Sequence, residues 1–213
     1  MKDRLIYPLL SLLLVFNLFP TQQSQAKPSP IFQPIIEDLK TRLPSGLKMR
    51  LPATIPTSTK DATLYSFLPD EDSKLVFEFD ELKMEFFTVL IGDSSDCSEQ
   101  KNPEDCLVAA VGVTEDPIES PAELDALLVD REEDIASGEF ERGIEVSQGI
   151  EGFYLVDGKL QSIIWRQGRM AHLLMSKKCD RECISKQQLI EMAQSAANET
   201  TIIHQNVSSD TAE

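Results

Sequence analysis

Two glycine turns inside apolar sequence constrain this chain more than any other feature. Asp157-Gly158 and Gln167-Gly168 interrupt residues 139–176, which are otherwise runs of large apolar and β-branched side chains. Asp-Gly is a strong hairpin signal because a tight turn needs backbone at positive φ, and Gln-Gly is a weaker one. The stretch therefore reads as a four-strand antiparallel meander. Side chains alternate across a strand, so two tight turns sort the residues onto two faces. One face, with Phe153, Leu155, Leu160, Ile164, Leu173 and Met175, is mostly apolar and should pack on a helix or a second sheet. The other carries Tyr154, Gln161, Ile163, Trp165, Met170 and His172, including the only tryptophan of the chain. Two readings of that second face stand side by side. It is covered, by the N-terminal helix for example, and Trp165 is core; or Tyr154, Ile163, Trp165, Met170 and His172 line a groove open to a ligand or partner.

The remaining elements follow from period and punctuation. Phe32, Ile35, Ile36, Leu39 and Leu43 repeat at helical spacing, with Pro34 placed in the first turn and Pro44-Ser45-Gly46 as the stop. Leu47–Leu51 alternates apolar and basic residues. Thr63–Leu68 and Leu75–Phe79 flank a polar turn-rich loop and read as a hairpin. Phe86–Ile91 and Leu107–Val113 are further strands, joined by the polar loop Gly92–Cys106. Ser120-Pro121-Ala122-Glu123 opens a helix with a stripe of Leu124, Leu127, Leu128 and Ile135, ending at Gly138. A last helix starts at Ser185, with Gln188 completing a capping box and Ile190, Ala193 and Ala197 on its buried stripe.

The amino terminus reads as an export signal. Lys2 and Arg4 precede an apolar run from Leu5 to Phe19, and Ser24-Gln25-Ala26 offers small residues where signal peptidase cuts. The run is short for a spanning helix, and no later segment is long and apolar enough for one. The expected organisation is a signal peptide over 1–26, a linker and N-terminal helix over 27–45, a single α+β domain over 46–198, and a flexible polar tail over 199–213. The location is exported, periplasmic or secreted.

Cysteine use agrees with that compartment. An even set, Cys97, Cys106, Cys179 and Cys183, suggests two disulfides. Of the three possible pairings, the local one, Cys97–Cys106 with Cys179–Cys183, is preferred. Neither spacing is that of a thioredoxin-like site or a four-thiolate zinc site.

Charge and motifs bound the function. A net charge of −16 excludes nucleic acid as a partner, since phosphate would be repelled. Only two histidines are present, His172 and His204, and no framed nucleophile, metal-binding His-Glu-x-x-His or phosphate loop accompanies them. No catalytic residue, metal or cofactor is expected. Asp70, Glu71, Asp72, Asp93, Asp96, Glu99 and Asp105 read as solvated acidic loops, with paired-carboxylate hydrolysis as the chemistry they would otherwise support. Asn198-Glu199-Thr200 and Asn206-Val207-Ser208 match the glycosylation sequon.

Gly149–Leu155, Ile163–Gly168, Leu173–Ser176 and Leu189–Ser195 together resemble a bacterial extracytoplasmic domain family of unknown function. In that family a Gly, Tyr, Trp, Gly meander is followed by a helix. The chain as a whole is similar to uncharacterised exported cyanobacterial proteins. Arg169 and His172 stand where the family commonly has an aromatic, and the Cys179–Cys183 loop is an addition. The resemblance implies a binding or sensory module and no assigned activity.

The combined expectation is an α+β fold: antiparallel sheet with about three packed helices and two disulfides. Its function is a non-enzymatic envelope or extracellular binding or accessory module for a protein, peptide or lipid. A carboxylate-based hydrolase and a structural envelope protein are the alternatives.

Overall fold

The computed structural model describes residues 27–56, 63–69, 75–79, 82–97, 106–116, 132–178 and 183–205. The expected leader therefore lies outside the described residues, as do most of the helix expected from Ser120 and the turn-rich loop before Leu75.

The meander forms. Strands β6 (Phe140–Ser147), β7 (Ile150–Asp157), β8 (Leu160–Gln167) and β9 (Met170–Lys177) pair antiparallel in sequence order. The tight loops sit one residue later than the sequence suggests. Asp157 pairs with Leu160 and Gln167 with Met170, so the loop residues are Gly158-Lys159 and Gly168-Arg169. Gly158 at φ 56° and Gly168 at φ 69° supply the positive backbone angle from the first loop position. Moving each loop by one residue shifts cross-strand partners by two, and side-chain alternation has period two, so both faces survive unchanged. The shift matters locally: it sets Trp165 opposite His172 and Tyr154 opposite Ile163.

Four more strands and a short pair complete the sheets. Strands β2 (Tyr65–Phe67), β3 (Leu75–Phe79), β4 (Leu82–Gly92) and β5 (Leu107–Glu115) extend the meander into an eight-stranded sheet in the order β2-β4-β5-β9-β8-β7-β6, with β3 beside β4. The expected hairpin between β2 and β3 is not formed. Each pairs instead with β4, β3 with its first half and β2 with its last three residues. Strand β4 is long enough to hold both, and an eleven-residue ladder satisfies more backbone than the two short runs offer one another. Strand β1 (Lys48–Met49) belongs to a separate two-stranded sheet with β10 (Ile202–Ile203).

The Cys97–Cys106 disulfide is present, with Cα atoms 5.7 Å apart, beside the ends of β4 and β5. Gly92 is required there, because a Cβ on it would lie 2.7 Å from the Cys97 sulfur. Cys179 lies outside the described residues, and with it the Cys179–Cys183 pairing.

Three α-helices are described. A 3-10 helix (Pro30–Ile35), which holds Pro34, leads into α1 (Ile36–Arg42). Pro34 thus precedes the α-helix but lies inside the 3-10 helix, and the carbonyl three residues before it, that of Ile31, accepts from the Ser66 hydroxyl at 2.6 Å instead. Helix α2 (Glu132–Ser137) is short and exposed at Ile135. Helix α3 (Lys186–Ala197) carries the expected capping box between Ser185 and Gln188. With antiparallel sheet and segregated helices, the fold is α+β.

Among the described residues, the helices cover the face that carries Trp165, as the first of the two readings has it, rather than the mostly apolar face expected to pack on a helix or a second sheet. The 3-10 helix and α1 bury Phe32, Leu39 and Leu43, and α3 buries Leu189, Met192, Ala193 and Ala196, all in one cluster with Tyr154, Ile163, Trp165 and Leu174. The other face buries Met84, Phe86, Ile164, Leu173 and Met175 in a second cluster. Strand β9, in the middle of the sheet, is therefore buried on both sides.

A second correction concerns the carboxyl terminus, expected to be a loose polar tail from residue 199. Residues 199–205 are ordered against the body. Ile202 and Ile203 pair with Met49 and Lys48, the Gln205 N–H donates to the Lys40 carbonyl at 3.0 Å, and a His204 ring nitrogen lies 2.8 Å from the Leu43 carbonyl. The Ile202-Ile203 pair in polar sequence is the signal that was available for this strand.

Candidate functional site

The five residues expected to line an open groove do share the helix-covered face, but they are closed in. Trp165 is 1% exposed and His172 2%, and Tyr154, Ile163 and Met170 are buried as well. The reason is amphipathic: the buried stripe of α3, Leu189, Met192, Ala193 and Ala196, packs on this face together with the N-terminal helix. Trp165 and His172 stack, with ring centroids 5.1 Å apart and planes at 17°. Tyr154 sits apart from them, its hydroxyl donating to Gln161 Oε1 at 3.1 Å and the Lys186 ammonium lying 4.4 Å from its ring centre.

Around that stack, three residues that sequence reasoning did not single out complete a polar cluster at the C-terminal end of α3. Arg50, just past β1, donates to the carbonyl oxygens of Ala197, at 3.1 Å, and Glu199. Gln167, at the end of β8, donates to the same Ala197 oxygen at 3.3 Å. A cation at a helix C-terminus is favourable, because the last carbonyls carry partial negative charge. Glu199 follows the helix and is 2% exposed. Among the described residues, Trp165 Nε1 and Gln167 Oε1 have no hydrogen-bond partner, and the Glu199 carboxylate has only a weak one, the backbone N–H of Thr200. Buried polar atoms are seldom left this way, since each costs about 1–3 kcal/mol.

The electrostatics follow from that burial. Removal from water raises the Glu199 pKa, against the lowering effects of a backbone hydrogen bond at Thr200 and of Arg50. Burial likewise lowers Arg50, with Glu199 opposing. Desolvation thus outweighs mutual attraction on both sides of the pair, as is common for ion pairs taken out of water. His172 is lowered to about 4, first by burial and then by Arg50, so it is a neutral imidazole at neutral pH. The cluster presents a carboxyl biased toward its protonated form, a neutral imidazole, an indole N–H and an amide oxygen. This is a mixed donor and acceptor set, fitted to hydrogen bonding with a polar ligand.

Of the acidic residues that would serve hydrolysis, Asp93 and Asp96 are exposed, while 70–72, 99 and 105 lie outside the described residues. Among the described residues no group of three or more His, Cys, Asp or Glu is placed to hold a metal ion. Nor is any described helix long and apolar enough to cross a membrane.

No family model matches this chain, and neither does any curated protein or solved structure.

Nothing in the sequence distinguished Glu199 from the polar residues after it. Arg50 lay in a short alternating run and Gln167 in a turn; only the fold brings them to the Trp165 ring system.

Proposed function

We propose that the chain is an exported, non-enzymatic binding or accessory module of the cell envelope or extracellular space, and that its ligand engages the cluster around Trp165. The observation that carries this reading is the set of buried polar atoms around Trp165: among the described residues Trp165 Nε1 and Gln167 Oε1 have no hydrogen-bond partner, and the buried Glu199 carboxylate has only the weak Thr200 N–H. A peptide suits the set better than a lipid chain, because its backbone supplies N–H donors to the carboxyl and amide oxygens and carbonyls to the indole N–H. Export rests on the basic-apolar-small leader of residues 1–26 and agrees with the Cys97–Cys106 disulfide. A second disulfide, Cys179–Cys183, belongs to the same reading; Cys183 is itself disulfide-bonded. The likeness of residues 149–195 to an extracytoplasmic domain family points the same way, by analogy.

Native and intact mass spectrometry on the protein from its own host tests the proposal. A chain starting at Lys27, lighter by the hydrogens of two disulfides and carrying a peptide-sized non-covalent mass, is the expected result. A retained leader or free thiols would remove export. An apo chain whose Trp165 fluorescence ignores envelope peptides would remove the binding role.

A further inference from the structure

The segment after α3 occupies the body as an extended ligand would. It adds a strand antiparallel to β1, which has no other strand partner among the described residues. Its side chains alternate as those of a bound strand do: Ile202 is 8% exposed and joins the core beside Met49, whereas Ile203 is 54% exposed next to Lys48. Backbone contacts hold both of its ends, Arg50 on the Glu199 carbonyl and the Gln205 N–H on the Lys40 carbonyl. These are the features of recognition by strand addition, where main-chain bonds give affinity and pockets for alternate side chains give specificity.

The segment is also an imperfect occupant. Its Glu199 carboxylate is buried with only the weak Thr200 N–H as a hydrogen-bond partner, and the Arg50 charge acts on both it and His172. A two-residue ladder lies at the weak end of local stability. An incoming strand with an uncharged residue at the Glu199 position keeps every other contact and avoids that burden.

We infer that the edge of β1, together with Arg50 and the Ile202 pocket, is a peptide-binding site that residues 199–205 fill in the resting protein. The partner it fits is an extended peptide with an aliphatic side chain for the Ile202 pocket and a neutral residue at the Glu199 position. This rests on the binding-module reading and names its ligand class and its resting state.

The test uses the full oxidised chain and two synthetic peptides of residues 199–205, one native and one with Glu199→Gln. Hydrogen exchange at the Gln205 amide of the chain reports displacement, and acrylamide quenching of Trp165 reports access to the cluster. At pH 7 the Gln peptide is expected to abolish protection of Gln205 and to bind about tenfold more tightly than the native peptide; below pH 4 the two converge, because the carboxyl is then protonated. In a Glu199→Gln chain, whose own segment fits better, the Gln peptide should bind about tenfold more weakly. A Gln205 amide that stays protected at saturating peptide, or equal binding of the two peptides at pH 7, overturns the inference. Concentration-dependent dimers with Gln205 protected only in the dimer would assign the site to a second copy instead and also overturn it. None of these readouts needs the natural ligand, so failure to recover one from the host counts against the proposed function alone.

Discussion

At its N-terminal end, helix α3 stands on a polar network in which the buried amide is fully used; at its C-terminal end, it stands on one in which, among the described residues, buried atoms have no partner. Gln161 is the centre of the first. It accepts from Tyr154, and its two amide hydrogens are shared among the Ser176 hydroxyl at 3.1 Å, the Lys177 carbonyl at 3.2 Å and the Ile184 carbonyl. This ties three strands to the chain segment that enters the helix, beside a complete capping box. The second network gathers Arg50, Gln167, Glu199 and the Trp165–His172 stack; among the described residues it leaves the indole N–H and the Gln167 oxygen unbonded and the Glu199 carboxylate with only the weak Thr200 N–H. One helix on one face of one sheet thus meets the same physical demand in two ways. A satisfied network rigidifies and specifies a core. An unsatisfied one costs stability, and proteins keep such sites where something else is gained.

Changes at the two ends should therefore have opposite signs. Gln161→Ala should be the most harmful, costing about 3–4 kcal/mol by urea denaturation, because it strands several buried partners at once. A cost below about 1 kcal/mol would mean that the network is replaceable and would blur the contrast between the ends.

Next in size is a pH effect at the other end. His172 is held near 4 from an ordinary 6.5, so the unfolded chain binds its proton first as pH falls. The stability tied to the neutral ring is present above pH 6.5 and is lost down to about pH 4, in all about 3 kcal/mol. Stability curves of the parent and of His172→Asn across that range should diverge in slope; parallel curves would place His172 outside the cluster.

Glu199→Gln should stabilise the protein at pH 7 by about 1 kcal/mol. The sign follows from the raised pKa of Glu199: its contribution is fully present below the ordinary carboxyl range and is lost as pH rises through the folded value. The gain should accordingly vanish in acid. A loss of stability at pH 7 would show that the Arg50 charge holds the carboxylate as a structural pair.

The smallest effect belongs to the satisfied end again. Ser185→Ala removes the cap on Gln188 N–H and should cost about 1 kcal/mol, measurable as a small fall in thermal midpoint with no change in Trp165 fluorescence.

Legibility in the sequence divides along similar lines. The meander, its two faces, the last helix and its capping box were readable because each rests on a local rule: glycine at positive φ, period-two alternation, Ser at the cap with Gln three residues on. The partners of β2 and β3 were not readable, because sequence proximity favoured a hairpin and the length of β4 decided otherwise. The two turns did assign the five residues of the groove expectation to one face. Whether that face was open was a question about α3 and the N-terminal helix, which pack there through contacts between distant parts of the chain.

Alternation and turn chemistry, being properties of neighbouring residues, determined by themselves that Trp165 and His172 share a face and that Ser185 starts a helix. Only the tertiary structure decided that a strand from residues 202–203 closes against residues 48–49, and that a glutamate with no special sequence context lies buried beside Arg50. Burial depends on which surfaces meet, and no local period records where a chain end comes to rest.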